Sequence, residues 1–450
     1  MNQNQSLSQA ELHYRKMTQT PVSKLILRLG MPTTVSMLIT SIYNMADTYF
    51  VGTLGESAQA ATGILFALQS IIQGLAFMLG HGSGSLVAKA LARKDTKEAS
   101  TYVSTAFYTG GALGLVITLV GLLCLTPLVK LLGSTDTILP HARDYGMWVL
   151  IACPFMICSL ILNNNLRFEG KAFYAMFGLT TGGLLNILGD YLLVIRAGLG
   201  VYGAGLSTAV SQMVSFTILL IMYCTKAQSK IRLSFISRKW KDYTTIMRVG
   251  LPSLIRQGLT AISGSLLNNL TKPFGDAAIA AMSVVSRYSM FVMCVGLGIG
   301  QGFQPVAAFN YEAGEIRRVR KGLLFTMGFS MFFMSLMCVI TLWKAEQIVL
   351  LFQDVERVVE VGSRALRFAA VGLLFLPLSI PINMLYQSIR KAGTASFLST
   401  LRSGALLIPV LLMGVPMFGL TAIQIAQPLA DCLTGVISIP FTIHFLRTGK

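Results

Sequence analysis

Four polar side chains within apolar segments of the chain have the chemistry to bind a small cation. Asp47 and Asp190 provide carboxyl groups, and Asn186 and Thr208 provide an amide and a hydroxyl oxygen. Asn186 and Asp190 are four residues apart and share one helical face, and Thr208 joins them if the two segments pack as neighbours. Two neighbouring carboxyl groups in a low dielectric cannot both ionise cheaply, so one of them would hold a proton. The same oxygens would equally coordinate Na⁺, which prefers oxygen ligands.

Each of these residues also has a purely structural interpretation. A carboxyl group in hydrocarbon is costly, which favours a functional role for Asp47 and Asp190 over a hydrogen bond between helices. Asn186 and Thr208 would otherwise be a packing amide and a hydroxyl bonded back to its own helix. Asp431 is a third acid in an apolar segment, nearer to a helix end, and lies either at the interface or in a substrate cavity.

Membrane-spanning helices are the elements that must position these residues. The 450 residues are 54% hydrophobic and 12% charged, which leaves too little polar surface for a soluble protein of this size. Helix is the expected structure, since lipid offers no partner for backbone groups. Apolar segments of about 20 residues, enough to cross a bilayer, lie near 25–50, 58–88, 101–124, 144–166, 173–195, 203–224, 250–271, 278–306, 322–343, 362–388, 396–417 and 419–446.

The chain is an internal duplication in which Gly30-Met31-Pro32 corresponds to Gly250-Leu251-Pro252. At the same offset Asp47 corresponds to Leu267, so the charge is present in one copy only. Six segments per copy place both copies in the membrane in the same orientation. The prediction is an all-α membrane protein whose 12 transmembrane helices form two six-helix lobes, related by a pseudo-two-fold axis along the membrane normal. Its divisions are a cytoplasmic segment 1–24, an N-lobe 25–224, a cytoplasmic connector 225–249 and a C-lobe 250–446.

Basic residues are concentrated in alternate loops, which explains the net charge of +18 without a nucleic-acid partner. Examples are Arg93 and Lys94 after the second segment and Arg317 and Arg318 after the eighth. Because positive loops face the cytoplasm, both termini are predicted to be cytoplasmic and the protein to lie in the cell (inner) membrane. The polar N-terminal stretch does not resemble a secretory signal peptide.

No catalytic constellation stands out, so the chain is not expected to be an enzyme or to need a cofactor. There is no Walker A Lys-Ser/Thr, no His-Glu-x-x-His and no Cys-x-x-Cys, so an ion gradient must supply energy for any pumping. His81 is expected to be a polar packing residue. Arg256 and Arg287 lie inside apparent spans, where snorkelling or an error in the predicted boundary is expected rather than substrate contact.

Several motifs together resemble multidrug and toxic compound extrusion (MATE) transporters, of the DinF-like and MepA-like branch, over residues 20–446. The resemblance implies a secondary multidrug efflux antiporter that exports amphipathic, often cationic compounds in exchange for H⁺ or Na⁺. Its partners would be small-molecule drugs or metabolites and the lipid bilayer, with no nucleic acid, and a monomer is expected. The motifs are the repeated Gly-x-Pro, Gly80-His81-Gly82-Ser83-Gly84, Leu166-Arg167-x-x-Gly170-Lys171, Asn186-x-x-x-Asp190 and Gly300-Gln301-Gly302-Phe303-Gln304-Pro305.

In the archaeal and DinF-like members of that family, the matching N-lobe positions form the cation-coupling site. A proline fifteen residues before the first acid bends their first span, and Pro32 and Asp47 have that spacing here. The NorM-like branch has acids in spans 7 and 10, whereas this chain has Gln257 in span 7 and no acid in span 10. The resemblance therefore implies coupling by Asp47, Asn186, Asp190 and Thr208, with Na⁺ as one candidate ion.

Soft and polar side chains in the spans are candidates to line a substrate cavity between the lobes. These candidates are Met37, Tyr43, Gln69, Gln73, Asn163, Met282, Met290 and Asp431. The alternative function is an exporter or flippase of one specific metabolite or lipid-linked substrate, which a cavity lined by Arg and Lys would favour. A channel or receptor is a further alternative, and the duplication argues against it because a pore needs no pair of rocking lobes.

Overall fold

The protein is helical throughout the part that its structure, a computed structural model, describes. The described residues are 9–352 and 354–449, so residues 1–8 of the predicted cytoplasmic segment lie outside them. We refer to α1–α8 as the first half and to α9–α16 as the second half. The first half comprises α1 (Gln9–Gln19), α2 (Val22–Gly52), α3 (Glu56–Ala92), α4 (Thr96–Leu123), α5 (Leu125–Leu131), α6 (Leu139–Phe168), α7 (Ala172–Asp190) and α8 (Gly200–Lys226).

The second half repeats this order with two interruptions. It comprises α9 (Trp240–Thr271), α10 (Asp276–Glu312), α11 (Ile316–Leu350), α12 (Glu356–Leu373), α13 (Leu376–Ser388), α14 (Ala392–Thr400), α15 (Leu407–Phe418) and α16 (Leu420–Thr448). A π-helical turn, Leu401–Ala405, lies between α14 and α15. Another, Tyr191–Arg196, directly follows α7. Short 3-10 turns stand at Leu233–Phe235 and Lys272–Phe274.

Apolar length confirms a multi-pass membrane protein. Among the described residues, ten helices are long and apolar enough to cross a membrane, and α12 with α13 makes an eleventh that is bent by 51°. The sequence predicts a single span over 362–388. Instead the helix breaks just before α13, which begins at Leu376 and has Pro377 in its first turn, because proline has no backbone N–H to continue a helix. The remaining predicted span corresponds to α9, which is long enough but more polar, since it contains Arg256 and Gln257.

The two halves touch through α2 against α10 and α3 against α9. Glycines make both contacts possible, because a Cβ on Gly30 would stand 3.0 Å from the Ile299 backbone, and one on Gly250 would collide with the Met78 carbonyl. The repeated Gly-x-Pro motif therefore marks the two places where backbones of opposite halves meet. Both contacts lie toward the end where α2 begins and α3 ends, beside the basic loops.

Equivalent hydrogen bonds support the duplication inferred from the sequence. Asn163 Nδ2 donates to the carbonyl of Ala175 at 3.1 Å, and Asn383 Nδ2 donates to that of Ala395 at 3.0 Å. Each bond joins the same pair of helices in its half, and the partners are separated by the same number of residues. The sequence repeat is thus also a repeat of specific tertiary contacts.

The chain between the halves, residues 227–239, is held along α4. The Ser237 backbone N–H donates to Thr105 Oγ1 at 2.9 Å, and the Lys230 N–H donates to Ser100 Oγ at 2.9 Å. Glu169, just after α6, accepts the Gln228 N–H at 2.6 Å. Burial raises the pKa of this carboxyl group, and its hydrogen bonds oppose the shift. Since α9 begins at Trp240, the break between helices is shorter than the predicted connector 225–249.

Candidate cation-coupling site

Three helices of the first half bring the predicted site residues together. Asp47 lies on α2, Asn186 and Asp190 lie on α7, and Thr208 lies on α8. The helix α7 packs against both α2 and α8. Thr208 could join the site only if α7 and α8 were neighbours, and they are. Asp190 is the last residue of α7 before the π-helical turn Tyr191–Arg196. A π-helical turn changes the backbone register locally, and such turns are frequent at functional sites.

Hydrogen bonds orient three of these side chains. The Tyr145 hydroxyl of α6 donates to Asp47 Oδ2 at 3.2 Å. Asn186 Nδ2 donates to Thr208 Oγ1 at 3.2 Å, and the Ser207 hydroxyl donates to the Asn186 carbonyl at 3.0 Å. Because the amide nitrogen of Asn186 faces α8, its side-chain oxygen is left to face other groups. Tyr145 and Ser207 were not identified from the sequence, since tyrosine and serine in apolar helices have many other uses.

Several acceptor oxygens at this place have no hydrogen-bond donor within the described part of the chain. They are Asp47 Oδ1, Asn186 Oδ1 and both carboxyl oxygens of Asp190. Asp190 is completely buried, and the carboxyl groups of Asp47 and Asp190 are neighbours. A buried acceptor without a donor is costly. The cluster is therefore suited to take up a proton or another small cation.

The chemical type of the unpaired atoms also decides which cations can bind at this site. All of the unpaired atoms are oxygens, which suits H⁺ and hard ions such as Na⁺ rather than soft transition metals. Within the described residues no lysine, arginine or histidine forms an ion pair with Asp47 or Asp190. The described part of the chain also contains no group of three or more His, Cys, Asp or Glu residues suited to bind a metal ion. Any Na⁺ here would rely on the amide and hydroxyl oxygens as well as the two acids.

Pro32 lies within α2, two residues after Gly30, where the helix meets α10. The helix continues through the proline as far as Gly52, and the Ser36 hydroxyl donates to the Pro32 carbonyl at 3.1 Å. The bend expected at Pro32 in another conformation stays a prediction. Its position would let a bend move Asp47 relative to the contact at Gly30.

The predicted cavity residues divide into three groups. Tyr43 and Gln69 lie beside the site, since Tyr43 is close to both acids and Gln69 is close to Tyr145. Asn163 and Met282, by contrast, are used in helix packing, the first through its bond to Ala175 and the second within an apolar cluster. The structure assigns no distinctive contact to the side chains of the half-buried Met37 and Gln73 or the exposed Met290, and Asp431 forms an ion pair with Arg402 at 2.7 Å.

A cleft of about 420 Å³ opens between the halves at the end away from the basic loops. Residues at the end of α2 and the start of α3 form one wall, and Arg287 of α10 forms part of the other. None of the predicted cavity residues lines it. The first-half wall consists of Thr48, Tyr49, Gly52, Thr53 and Gln59.

A buried polar junction, which sequence reasoning missed, closes the space between the halves at the opposite end. His81 Nδ1 lies 2.8 Å from Ser253 Oγ, and Gln387 Nε2 donates to the same hydroxyl at 2.7 Å. Arg167 lies 3.2 Å from His81 Nε2 and donates to Gln301 Oε1. Arg167 follows the predicted span 144–166, where a cytoplasmic loop is expected. It is instead in the last turn of α6 and only 3% exposed. Gln301, Asn164 and His81 contact its two terminal nitrogens, whereas its Nε has no partner among the described residues.

Comparison with known proteins identifies relatives of this chain. The MatE family model matches the chain twice, over residues 32–192 and 252–413. The multidrug export protein MepA of Staphylococcus aureus (strain N315) is 26% identical over 434 residues, covering 95% of each chain. The protein of the same name from Staphylococcus saprophyticus is 24% identical over 433 residues, again covering 95% of each.

Solved structures share the fold. A crystal structure of MATE in complex with MaL6 aligns with a TM-score of 0.90 at 23% identity, covering 97% of this chain and 98% of that one. An outward-facing multidrug resistance MATE family transporter of the MOP superfamily also aligns with a TM-score of 0.90 at 23% identity, covering 96% and 97%. At this identity the likeness establishes the fold. The two matched segments of the family model begin at Pro32 and Pro252, the equivalent prolines of the two halves.

Proposed function

The chain belongs to the MatE family, and on that premise we propose that it is a secondary active antiporter that exports amphipathic, often cationic compounds in exchange for H⁺ or Na⁺. The observation that carries the proposal is the group of buried acceptor oxygens at Asp47, Asn186 and Asp190 that has no donor among the described residues. A permanent structural acid would be expected to have a hydrogen-bond donor or an ion pair. Relatives named as multidrug export proteins support the class of substrate.

The architecture proposed with it is two six-helix lobes around a central site. The contact of α2 with α10 is the repeat counterpart of the contact of α9 with α3, which is what a two-fold relation of the halves produces. Alternate basic loops support cytoplasmic termini and a location in the cell membrane. The protein would work as a monomer, because each chain contains both halves.

The proposed cycle couples the ion and the substrate through conformation. When no H⁺ or Na⁺ is bound at Asp47 and Asp190, the negative potential at these acids favours a cationic compound in the cleft. Binding of H⁺ or Na⁺ from the outside neutralises the acids, lets α2 bend near Pro32 and releases the compound. Substrate and ion need not share atoms, because each only has to prefer the opposite conformation.

The experiment is transport of a cationic dye in proteoliposomes under an imposed pH or Na⁺ gradient. We expect uphill transport by the wild type with one of the two gradients, and loss of coupling in Asp47→Asn and Asp190→Asn. Asp144→Asn, an exposed acid on α6, is the matched control and should transport normally. Uphill transport at the wild-type rate by both site variants would disprove the assigned coupling site.

A second candidate is the export of one anionic or lipid-linked metabolite. It is favoured by Arg256, Arg287 and Arg402, three guanidinium groups within the helices of the second half. Saturable transport of a broad set of unrelated cationic dyes would contradict it. Transport limited to a single anionic compound would support it over multidrug export.

A further inference from the structure

Arg256, Arg287 and Arg402 are three of the arginines in the helical part of the second half. We call them the second-half arginines. Arg256 is sixteen residues after the start of α9 and fifteen before its end. At 1.5 Å per residue it is about 23 Å from either end of the helix, too far for its side chain to reach the helix ends. Neither snorkelling nor an error in the predicted boundary therefore accounts for Arg256.

The second-half arginines have too few acidic partners. Asp431 pairs with Arg402, with Arg402 Nε 2.7 Å from Asp431 Oδ1. The side chains of Arg256 and Arg287 make no hydrogen bond or ion pair with described residues. The sequence also has no acid between Asp276 and Glu312 on α10. This region of the protein carries uncompensated positive charge.

Neighbouring contacts locate Arg256 on the cleft side of the polar junction. Ser253, Arg256 and Thr260 occupy successive turns on one face of α9. Ser253 contacts His81 and Gln387 at the junction, while the Thr260 hydroxyl lies 3.3 Å from Ser403 Oγ, next to Arg402. Arg256 is therefore positioned between the junction and the π-helical turn Leu401–Ala405. Its side chain is half-buried and so remains accessible.

Arg402 completes a pair of guanidinium groups at this place. Ser403, which meets Thr260, is the residue next to Arg402, and Thr260 lies one turn beyond Arg256 on α9. The Arg402 Nη1 group contacts the Met293 sulfur at 3.2 Å, a weak acceptor, and its side chain is 25% exposed. Two neighbouring cations in a low dielectric repel, and an anionic oxygen group that accepts from both would remove that cost.

We propose that Arg256 and Arg402 bind an anionic oxygen group, a carboxylate, sulfonate or phosphate, of the transported compound. This rests on the proposed export function, and it narrows the substrate class. The preferred substrates are zwitterionic amphipathic compounds, whose cationic centre faces the acids of the first half and whose anionic group faces the arginines of the second.

The test is equilibrium binding to purified protein in phosphatidylcholine nanodiscs, measured by fluorescence anisotropy with two rhodamine dyes. One dye carries a free benzoate, and the other is its methyl ester, so that they differ only in the anionic group. We expect the free acid to bind the wild type about tenfold more tightly than the ester, the effect of one charge-assisted hydrogen-bonded pair. Equal or absent binding of the free acid overturns the proposal without any variant.

Variants then assign the effect to Arg256. Arg256→Gln should remove the advantage of the free acid and leave ester binding unchanged, and Arg256→Lys should retain part of that advantage. Arg248→Gln removes the same charge from an exposed position on α9 and should behave as the wild type. Retained ester binding shows that each variant is folded. An unchanged advantage in Arg256→Gln overturns the assignment.

A lipid phosphate carries the same anionic oxygens as the proposed substrate group. Repeating the measurement in phosphatidylglycerol nanodiscs tests whether lipid is bound instead, and loss of the free-acid advantage there assigns the arginines to lipid and overturns the substrate proposal. The binding measurement uses no ion gradient. A failure of gradient-driven transport would therefore disprove the proposed antiport while leaving this binding result intact.

Discussion

The two halves of the molecule share a helical framework but differ in the charged residues inside their spans. Both have a glycine that admits the partner half's backbone, and both use an asparagine to join the same pair of helices. At the repeat offset, however, five charged residues of the helical spans correspond to uncharged residues in the other half. These pairs are Asp47 and Leu267, Asp190 and Val410, Arg256 and Ser36, Arg287 and Ala67, and Arg402 and Gly182.

This comparison shows that the residues at helix contacts and the charged residues of the spans are under separate constraints in this fold. Glycines and amides at helix contacts serve the same geometric purpose in both copies, so duplication preserves their use. Charges inside a membrane protein are costly unless a bound ion or ligand offsets that cost. In our proposals the acids Asp47 and Asp190 of the first half therefore serve a cation, and Arg256 and Arg402 of the second half serve an anionic group.

Replacing Asp47 by leucine, the residue at the corresponding position of the second half, should have the largest effect on transport. We expect Asp47→Leu to reduce gradient-driven transport by about 100-fold, since the coupling between ion and substrate is lost. The same change should raise thermal stability, because a buried oxygen without a donor disappears. Transport assays and thermal unfolding of the same preparation measure both effects. Normal coupling in Asp47→Leu would erase the proposed distinction between the halves.

Breaking the compensated pair of the second half should come next. Arg402→Gln leaves Asp431, whose side chain is 6% exposed, without its ion-pair partner. We expect a loss of about 2 kcal/mol in the free energy of unfolding, the cost of an unpaired buried charge. Denaturant titration in detergent measures it, and the double variant Arg402→Gln/Asp431→Asn should recover most of the loss. An equal loss in both would show that packing, rather than charge, is responsible.

The shared framework can be tested at Gly250. A Cβ there would collide with the Met78 backbone carbonyl of α3. Gly250→Ala should therefore shift the conformational equilibrium about tenfold away from the closed junction, a typical cost of overpacking. Distances between spin labels on the α3 and α9 ends report the shift. Gly258→Ala on the same helix, where no atom lies within 4 Å of the new Cβ, is the control and should change nothing.

The smallest effect concerns α1 of the first half, which rests on α10 of the second. The His13 ring contacts the Phe309 ring edge-on at 5.4 Å, and burial lowers the pKa of His13 to about 4, with Lys16 and Lys171 adding to the shift. The docked form therefore stays neutral, whereas undocked His13 gains a proton below its ordinary pKa of about 6.5. Docking is expected to weaken as the pH falls from about 6.5 toward 4, with no further loss below that.

Hydrogen exchange of the α1 amides measures this docking. At pH 5.5 we expect docking to be weaker by about 1 kcal/mol than at pH 7.5. His13→Leu should exchange at a rate that depends on pH only through the chemistry of exchange itself. A wild type whose protection is the same at both pH values, after that correction, would show that the His13 site does not discriminate between protonation states.

Several features of the fold and the site could be predicted from the sequence, because polar and charged groups are costly in a membrane and therefore stand out. Asp47 and Asp190 were identifiable because acids inside apolar helices are rare, and the four-residue spacing placed Asn186 with Asp190. The break before Pro377 was not predicted, since a proline within a helix either bends it or ends it depending on its surroundings. Tyr145 was not predicted either, because nothing local distinguishes a tyrosine that binds an acid from one that packs.

The amino-acid pattern alone was enough to identify a duplicated helical membrane protein with Asp47 and Asp190 in the apolar segments of one copy. Helix, hydrophobic length and repeat are local properties, which neighbouring residues set through backbone hydrogen bonding and apolar burial. Tertiary packing was needed to show that Arg167 is buried in the polar junction. It also showed that the Arg256 side chain makes no hydrogen bond or ion pair with the described residues. Partners of a side chain come from helices far apart in the sequence, so charge compensation depends on packing that no local pattern encodes.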